Sequence, residues 1–352
     1  MMKLSRLFLI AISVSLFVSC SQDDAPAEPK GLYENGIFVL NEGGSGSGSV
    51  SYISNDLTDF TQSVYTTVNG TDILGKYVQS MFFDGDNAYI IVGGSNVITV
   101  VNRYTFKLIA KIETGLKTPR YGVVKDGKAY VTNANTYSYS NPATGNTDDY
   151  IAVIDLQTNT VESKIELNAT ANRILLENGK LYITEPYNND KLLVVNPSTK
   201  ALETAVAIGS DANTMEVKDG VLYVLRSPYG GRSEMVKVKL SDKTMTKVVF
   251  PESLDGVGNL DIYDNKAYYT LNTSVYAMNV NATEASTTEI MKYTSTSAYG
   301  KMYGFAVRDN RIYIADGGDF SANSKAYVYS LTGTIQKEFT VGVGPNSFYF
   351  ND

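Results

Sequence analysis

Gly122-Val123-Val124-Lys125-Asp126-Gly127-Lys128-Ala129-Tyr130-Val131 reads as strand twice over: an apolar run, an Asp-Gly pair, then a second run carrying an aromatic. Asp-Gly between such runs signals a two-residue hairpin, because both turn positions require positive φ. The phrase returns at residues 81–90, 175–183, 217–224, 262–269 and 307–314, with a degenerate seventh copy at Gly36-Ile37-Phe38-Val39. After each aromatic strand come an alternating run and a Thr-led strand, as in residues 151–155 followed by 160–165 and 98–101 followed by 105–110. Four strands repeated at roughly 40 to 50 residues make the blades of a radial array. The sequence therefore predicts an all-β, seven-bladed β-propeller with four-stranded blades over residues 36–352.

The two ends predict how the ring shuts. Asn346-Ser347-Phe348-Tyr349-Phe350 reads as an innermost strand with no continuation, and residues 36–40 as a second strand with nothing before it. Together they complete one blade and hide sheet edges that would otherwise pair with other chains. No residues remain for an eighth blade.

Composition fits one large β unit: 352 residues, 43% hydrophobic, with 26 tyrosines of which at least six fall on equivalent strand positions and are expected to pack between blades. A net charge of -7 without a basic run argues against nucleic acid. The absence of histidine excludes Ser-His-Asp and Cys-His nucleophile systems and His-ligated zinc or haem, and the absence of tryptophan excludes tryptophan-derived cofactors. The carboxylate pairs Asp148-Asp149 and Asp316 with Asp319 lie in polar loops and read as solvated; calcium at Asp316 and Asp319 is not specified by their spacing. Gly43–Ser49 lacks the Lys and following helix of a phosphate cradle and reads as a flexible connection. No catalytic residue, resident cofactor or metal is expected, and the chain reads as a binder.

Residues 1–19 carry Lys3 and Arg6 ahead of an apolar stretch, Leu7 to Val18, too short to span a bilayer. They read as a signal peptide. The stretch closes at Phe17-Val18-Ser19-Cys20, which resembles a bacterial lipobox, and Cys20 is the sole cysteine, so lipidation there is expected. Residues 20–35 would then form a tether, and its Asp23-Asp24 resembles the signal by which Bacteroidetes lipoproteins reach the outer face of the outer membrane.

Aligning the repeats places a polar residue at the start of each innermost strand: Gln79, Arg120, Asn172, Asn213, Asn259, Tyr303 and Asn346. Around them, leaving the aromatic strands on the same face, stand Asn41, Glu42, Asn133, Asn135 and Tyr137, then Glu185, Tyr187, Arg226 and Tyr229, then Asn272, Asp316 and Phe320. Amides offer donor and acceptor together and the aromatics offer apolar rims, so this face is the candidate ligand-binding surface. The long stretches 68–78 and 133–149 are expected to overhang it.

Ile37-Phe38-Val39-Leu40-Asn41-Glu42-Gly43, the Gly/Ser run and Gly48-Ser49-Val50-Ser51-Tyr52-Ile53, with Pro345-Asn346-Ser347 at the close, resemble the YncE-like seven-bladed propeller lipoproteins of Bacteroidetes, most of all the BtuG group. That resemblance implies an outer-membrane surface lipoprotein that captures cobalamin or other corrinoids and passes them to a BtuB-like TonB-dependent transporter. A corrinoid is a broad, largely neutral disc fringed with amides, which suits an amide-lined mouth. Two alternatives stay open: capture of another nutrient, such as a glycan or peptide, and a metal-dependent hydrolase or lactonase on the same fold.

Overall fold

The computed structural model describes residues 29–136, 147–186 and 189–352. The chain divides into Met1–Lys30 and Gly31–Asp352, and the second unit carries every described strand. The first blade holds β1 (Gly36–Asn41), β2 (Ser49–Ser54) and the two-residue β3 (Phe60–Thr61), followed by a short helix, α1 (Val64–Asn69). The second blade is β4 (Val78–Asp84), β5 (Asn87–Val92), β6 (Val97–Asn102) and β7 (Leu108–Ile112). The third is β8 (Pro119–Lys125), β9 (Lys128–Asn133), β10 (Tyr150–Asp155) and β11 (Thr160–Glu166). The fourth is β12 (Arg173–Glu177), β13 (Lys180–Thr184), β14 (Lys191–Asn196) and β15 (Ala201–Ala207). The fifth is β16 (Ala212–Lys218), β17 (Val221–Arg226), β18 (Glu234–Lys239) and β19 (Met245–Val249). The sixth is β20 (Gly258–Tyr263), β21 (Lys266–Leu271), β22 (Ser274–Asn279) and β23 (Glu289–Lys292). The seventh is β24 (Gly304–Arg308), β25 (Arg311–Asp316), β26 (Asn323–Ser330) and β27 (Ile335–Val343), after which β28 (Pro345–Asn351) returns to the first.

These strands form seven four-stranded antiparallel sheets, and the first is ordered β28-β1-β2-β3. The predicted propeller and its closure are both present: β28 pairs β1 from Gly36 opposite Asn351 to Val39 opposite Phe348. Innermost strands neighbour one another in sequence around the ring, and β28 meets β4 to close it. Asn351 is fully buried at the seam, where its Nδ2 donates to the Tyr33 carbonyl at 2.6 Å and the Arg103 carbonyl at 3.0 Å while Arg103 Nε donates to its Oδ1.

The hairpin chemistry is as the sequence demands. Asp126 and Gly127 sit at φ 52° and 72°, and Asn178-Gly179, Asp219-Gly220, Asp264-Asn265 and Asp309-Asn310 repeat that left-handed pair. In the second blade the pairing of Asp84 with Asn87 puts Gly85 at the first turn position, with φ 52°.

The recurring tyrosines are structural. Tyr89, Tyr130, Tyr182, Tyr223, Tyr268 and Tyr313 are all buried. Tyr130, for instance, packs with Ile151 and Val153 of its own blade against Leu181 and Ile183 of the next. Each interface is a separate apolar layer of this kind, and each fully buried ring contributes on the order of 2 kcal/mol. Among the described residues no helix is long and apolar enough to cross a membrane.

Antiparallel order fixes the faces. Every innermost strand starts at one mouth of the central channel, so that mouth is rimmed by the loops from second to third strands and by the connections between blades. The two-residue turns lie at the opposite face.

Candidate functional site

The mouth at the strand starts opens on a cavity of about 460 Å³. Gln79, Asn213, Asn259, Tyr303 and Asn346 line it, five of the seven residues expected there, and Asn272 joins them. The device that aims four of them is a β-bulge. Val78 pairs with Val92 and Ser80 with Ile91, which leaves Gln79 as the extra residue; Asn213, Asn259 and Asn346 are extra in the same way at the starts of β16, β20 and β28. A bulge turns its unpaired residue out of the sheet's alternation, and here it turns an amide into the channel.

Three of these side chains are partly committed to the frame. Asn346 Nδ2 donates to the Val78 carbonyl at 2.8 Å, and Asn259 Nδ2 to the Met302 carbonyl at 2.8 Å, each bridging to the following blade. Gln79 Nε2 donates to Tyr121 Oη at 3.0 Å and its Oε1 accepts from Arg120 Nη1 at 3.4 Å. Asn213 and Asn272 make no side-chain hydrogen bond among the described residues and offer whole amides to the cavity.

Two positions depart from the expected ring. In the third blade the bulge spans Arg120 and Tyr121 between the Pro119 and Gly122 pairs, and Tyr121 takes the cavity wall while Arg120, which does not line it, donates to Gln79. In the fourth blade β12 pairs in register from Arg173 opposite Thr184, so no bulge forms. Arg173, one residue after the expected Asn172, lines the cavity instead, its guanidinium 4.1 Å from the Tyr121 ring centroid. Asn172 does not line it, and its Oδ1 is buried without a hydrogen-bond partner among the described residues.

Among the surrounding residues, several serve the frame. Asn41 is fully buried and donates to Ser49 Oγ and Ser51 Oγ at 3.1 Å each. Asn133, also fully buried, donates to the Val131 carbonyl at 2.9 Å and accepts the Lys117 N–H at 2.8 Å. Glu185 is buried and accepts from Thr170 Oγ1 at 3.0 Å, and Asn135 donates to Asp148 Oδ2 at 3.2 Å. Arg226 pairs with Glu234, which Lys247 also holds at 3.1 Å. None of these five lines the cavity; Asn133 and Arg226 satisfy backbone groups at strand ends, and Glu185 and Asn135 tie loops together through side chains.

Glu42 and Phe320 reach the rim by touching Tyr303, and Tyr229 stands in the loop between β17 and β18 on the same face. Glu42 accepts from Tyr303 Oη, and Phe320 meets the Tyr303 ring edge-on at 4.9 Å. Tyr229 is fully exposed, as is Tyr299, which the sequence reading missed although it lines the cavity. Tyr137, Tyr187 and Cys20 lie outside the described residues.

The loop carboxylates need correction. Asp149 and Asp316 are buried, not solvated. Asp149 accepts the Ala171 and Asn135 N–H groups at 2.8 and 3.0 Å, and burial pushes it up to about 7 against those two bonds. Asp316 accepts the Gly318 N–H at 2.9 Å. Among the described residues no three acidic side chains gather as a metal site.

Below the mouth the channel continues into a second cavity of about 370 Å³, sharing Tyr121, Arg173, Asn259, Tyr303 and Asn346 with the first. It holds Glu216 and Asp261, on the neighbouring innermost strands β16 and β20. Both are half-buried on the channel wall. Desolvation first, then the charge of Asp261, raises Glu216; desolvation raises Asp261 against the Val307 N–H that donates to it at 2.8 Å.

Residues 35–300, about three quarters of the chain, match the family described as Domain of unknown function (DUF5074). The chain belongs to this family. No curated protein matches the sequence of this DUF5074 member. Among solved structures it is similar to a quinonprotein alcohol dehydrogenase-like protein from Bacteroides thetaiotaomicron, with a TM-score of 0.69 at 17% identity over 91% of this chain and 79% of that one. Hydrazine synthase from Kuenenia stuttgartiensis gives 0.61 at 13% identity over 78% and 92%. The computationally designed Ika8 protein gives 0.58 at 9% identity over 92% of each. At these identities the likeness is one of fold.

Proposed function

We propose that this propeller is a surface lipoprotein that captures a corrinoid such as cobalamin at the bulge-lined mouth and hands it to a TonB-dependent outer-membrane transporter. The observation that carries the reading is the chemistry of the mouth. Four bulged positions present Gln79, Asn213, Asn259 and Asn346, with Asn272 beside them and exposed Tyr299 and half-exposed Tyr303 at the rim. Such a surface meets an amide-fringed disc with many modest hydrogen bonds and flat apolar contact. On this reading the protein is a binder without a catalytic residue or resident cofactor. The leader, Cys20 and Asp23-Asp24 support an anchor at the cell surface.

Calorimetry of residues 31–352 with cyanocobalamin tests capture: saturable heat at micromolar protein is expected, and its absence overturns the corrinoid reading. Asn213→Ala and Asn272→Ala should each weaken binding by roughly twofold to tenfold, one hydrogen bond's worth. The urea midpoint of Asn213→Ala should match the parent, because its amide holds no other blade, whereas Asn272→Ala should lower the midpoint slightly, because Asn272 sits at φ 54°. Asn346→Ala should instead lower the midpoint, since its Nδ2 holds the start of β4.

The anchor has its own test. Cys20→Ala should abolish fatty-acid labelling and release the chain from membranes, whereas replacing Asp23 and Asp24 by Ala should leave it acylated but shielded from external protease. A parent protein that takes up no labelled fatty acid overturns the lipoprotein reading.

A further inference from the structure

Arg173 stands where the two channel cavities join, and it lines both. On the upper side its neighbours along the wall are neutral, Gln79, Tyr121, Asn259 and Asn346, while Glu216 and Asp261 line the cavity below. Its guanidinium lies over the Tyr121 ring, its charge acts on Glu216 and Tyr349, and its Nε is buried with no hydrogen-bond partner among the described residues. Guanidinium groups inside proteins are ordinarily forked onto a carboxylate, because five donors in a fixed plane lose their water on burial. Glu216 lines the cavity below, and no ion pair or hydrogen bond joins it to Arg173 among the described residues; burial and Asp261 raise it while the Arg173 charge lowers it. Lys301 adds a second cation at the rim of the same cavity. Glu42 is the acidic group at that rim, and it is engaged by Tyr303.

We propose that Arg173 is an anion-recognition point, which takes the single oxyanion of a ligand whose other polar groups are amides. Tyr121 holds the guanidinium flat by stacking, and Gln79 fixes the Tyr121 hydroxyl, so the fork is oriented before the ligand arrives. A phosphate diester or a carboxylate fits the fork equally well in shape. Resting on the corrinoid reading above, the oxyanion is the phosphodiester of the nucleotide loop, and Arg173 distinguishes a complete cobalamin from a corrinoid that lacks that loop.

Two measurements decide it. Residues 31–352, labelled with nitrogen-15 in arginine side chains, are titrated with dimethyl phosphate, acetate and neutral trimethyl phosphate; the Arg173 resonance is identified by its loss in Arg173→Lys. A saturable shift of Arg173 with one of the two anions, but not with trimethyl phosphate, is expected, and the tighter anion names the group recognised. A shift no larger than that of Arg308, which is already paired with Asp352, overturns the proposal. Separately, cyanocobalamin should bind at least about tenfold more tightly than dicyanocobinamide, and Arg173→Gln should erase the difference. A parent protein without that preference, or a preference that survives Arg173→Gln, overturns the phosphodiester assignment and leaves corrinoid capture standing. If neither corrinoid binds, capture itself fails, and the anion titration still decides the role of Arg173.

Discussion

Deletion of residues 345–352 leaves a chain that does not hold its ring. The loss is expected to be global, because β28 is the innermost strand of the first blade and every other blade leans on a closed circle. Without it, β1 exposes a full ladder of unpaired backbone groups, and the apolar layer of Phe348 with Ile37, Val39 and Tyr313 opens to water. The fully buried Asn351 goes too, stranding the Tyr33 and Arg103 carbonyls it satisfies. Orphaned buried groups cost about 1–3 kcal/mol each, and the exposed edge invites association. Far-ultraviolet circular dichroism and sedimentation check this: unfolded or aggregated protein is expected, and a cooperative monomer with the parent's urea midpoint contradicts it. Asn351→Ala alone should lower stability by a few kcal/mol while keeping the ring.

Glu216→Gln should stabilise the protein at alkaline pH and change little in acid. The glutamate is raised above its ordinary value of 4.5, chiefly by desolvation and then by Asp261, with Arg173 opposing. A group raised on folding favours the folded state fully below the unfolded pKa, and that contribution drains away as pH climbs through the folded pKa. The window therefore opens near 4.5 and runs upward through neutral pH. Each pH unit inside it costs about 1.4 kcal/mol. Glutamine keeps the volume and removes the ionisation, so its urea midpoint should overtake the parent's progressively as pH rises. Parallel pH profiles for the two proteins contradict the assignment.

The fold was legible because its signals are local and repeated. Asp126-Gly127 and its relatives need positive φ at both positions, and the six tyrosines recur at one place in the strand pattern, so turn and core point to the same blade. The closure was legible from what residues 36–40 and 346–350 each lacked. The site was legible only in part. Polar residues at Gln79, Asn213, Asn259 and Asn346 stood out, but whether a side chain enters the channel depends on a bulge, which adds one residue to one strand and leaves no residue type of its own. At β12 the paired Arg173, in the register position of Thr214 on β16, lines the cavity and Asn172 does not. Buried capping residues such as Asn41 and Asn133 look like ligand-binding amides in sequence, because the same donor and acceptor pair serves both purposes.

Strand direction carries one more consequence. β1 starts at the turn face, where Tyr33 donates its N–H to the Tyr104 carbonyl at 2.9 Å, and ends at the mouth. The N-terminal end of the ring, with Gly31 against the Tyr104 carbonyl, and the opening therefore lie on opposite faces. A label or solid support coupled at Gly31 would leave the whole mouth turned away from it.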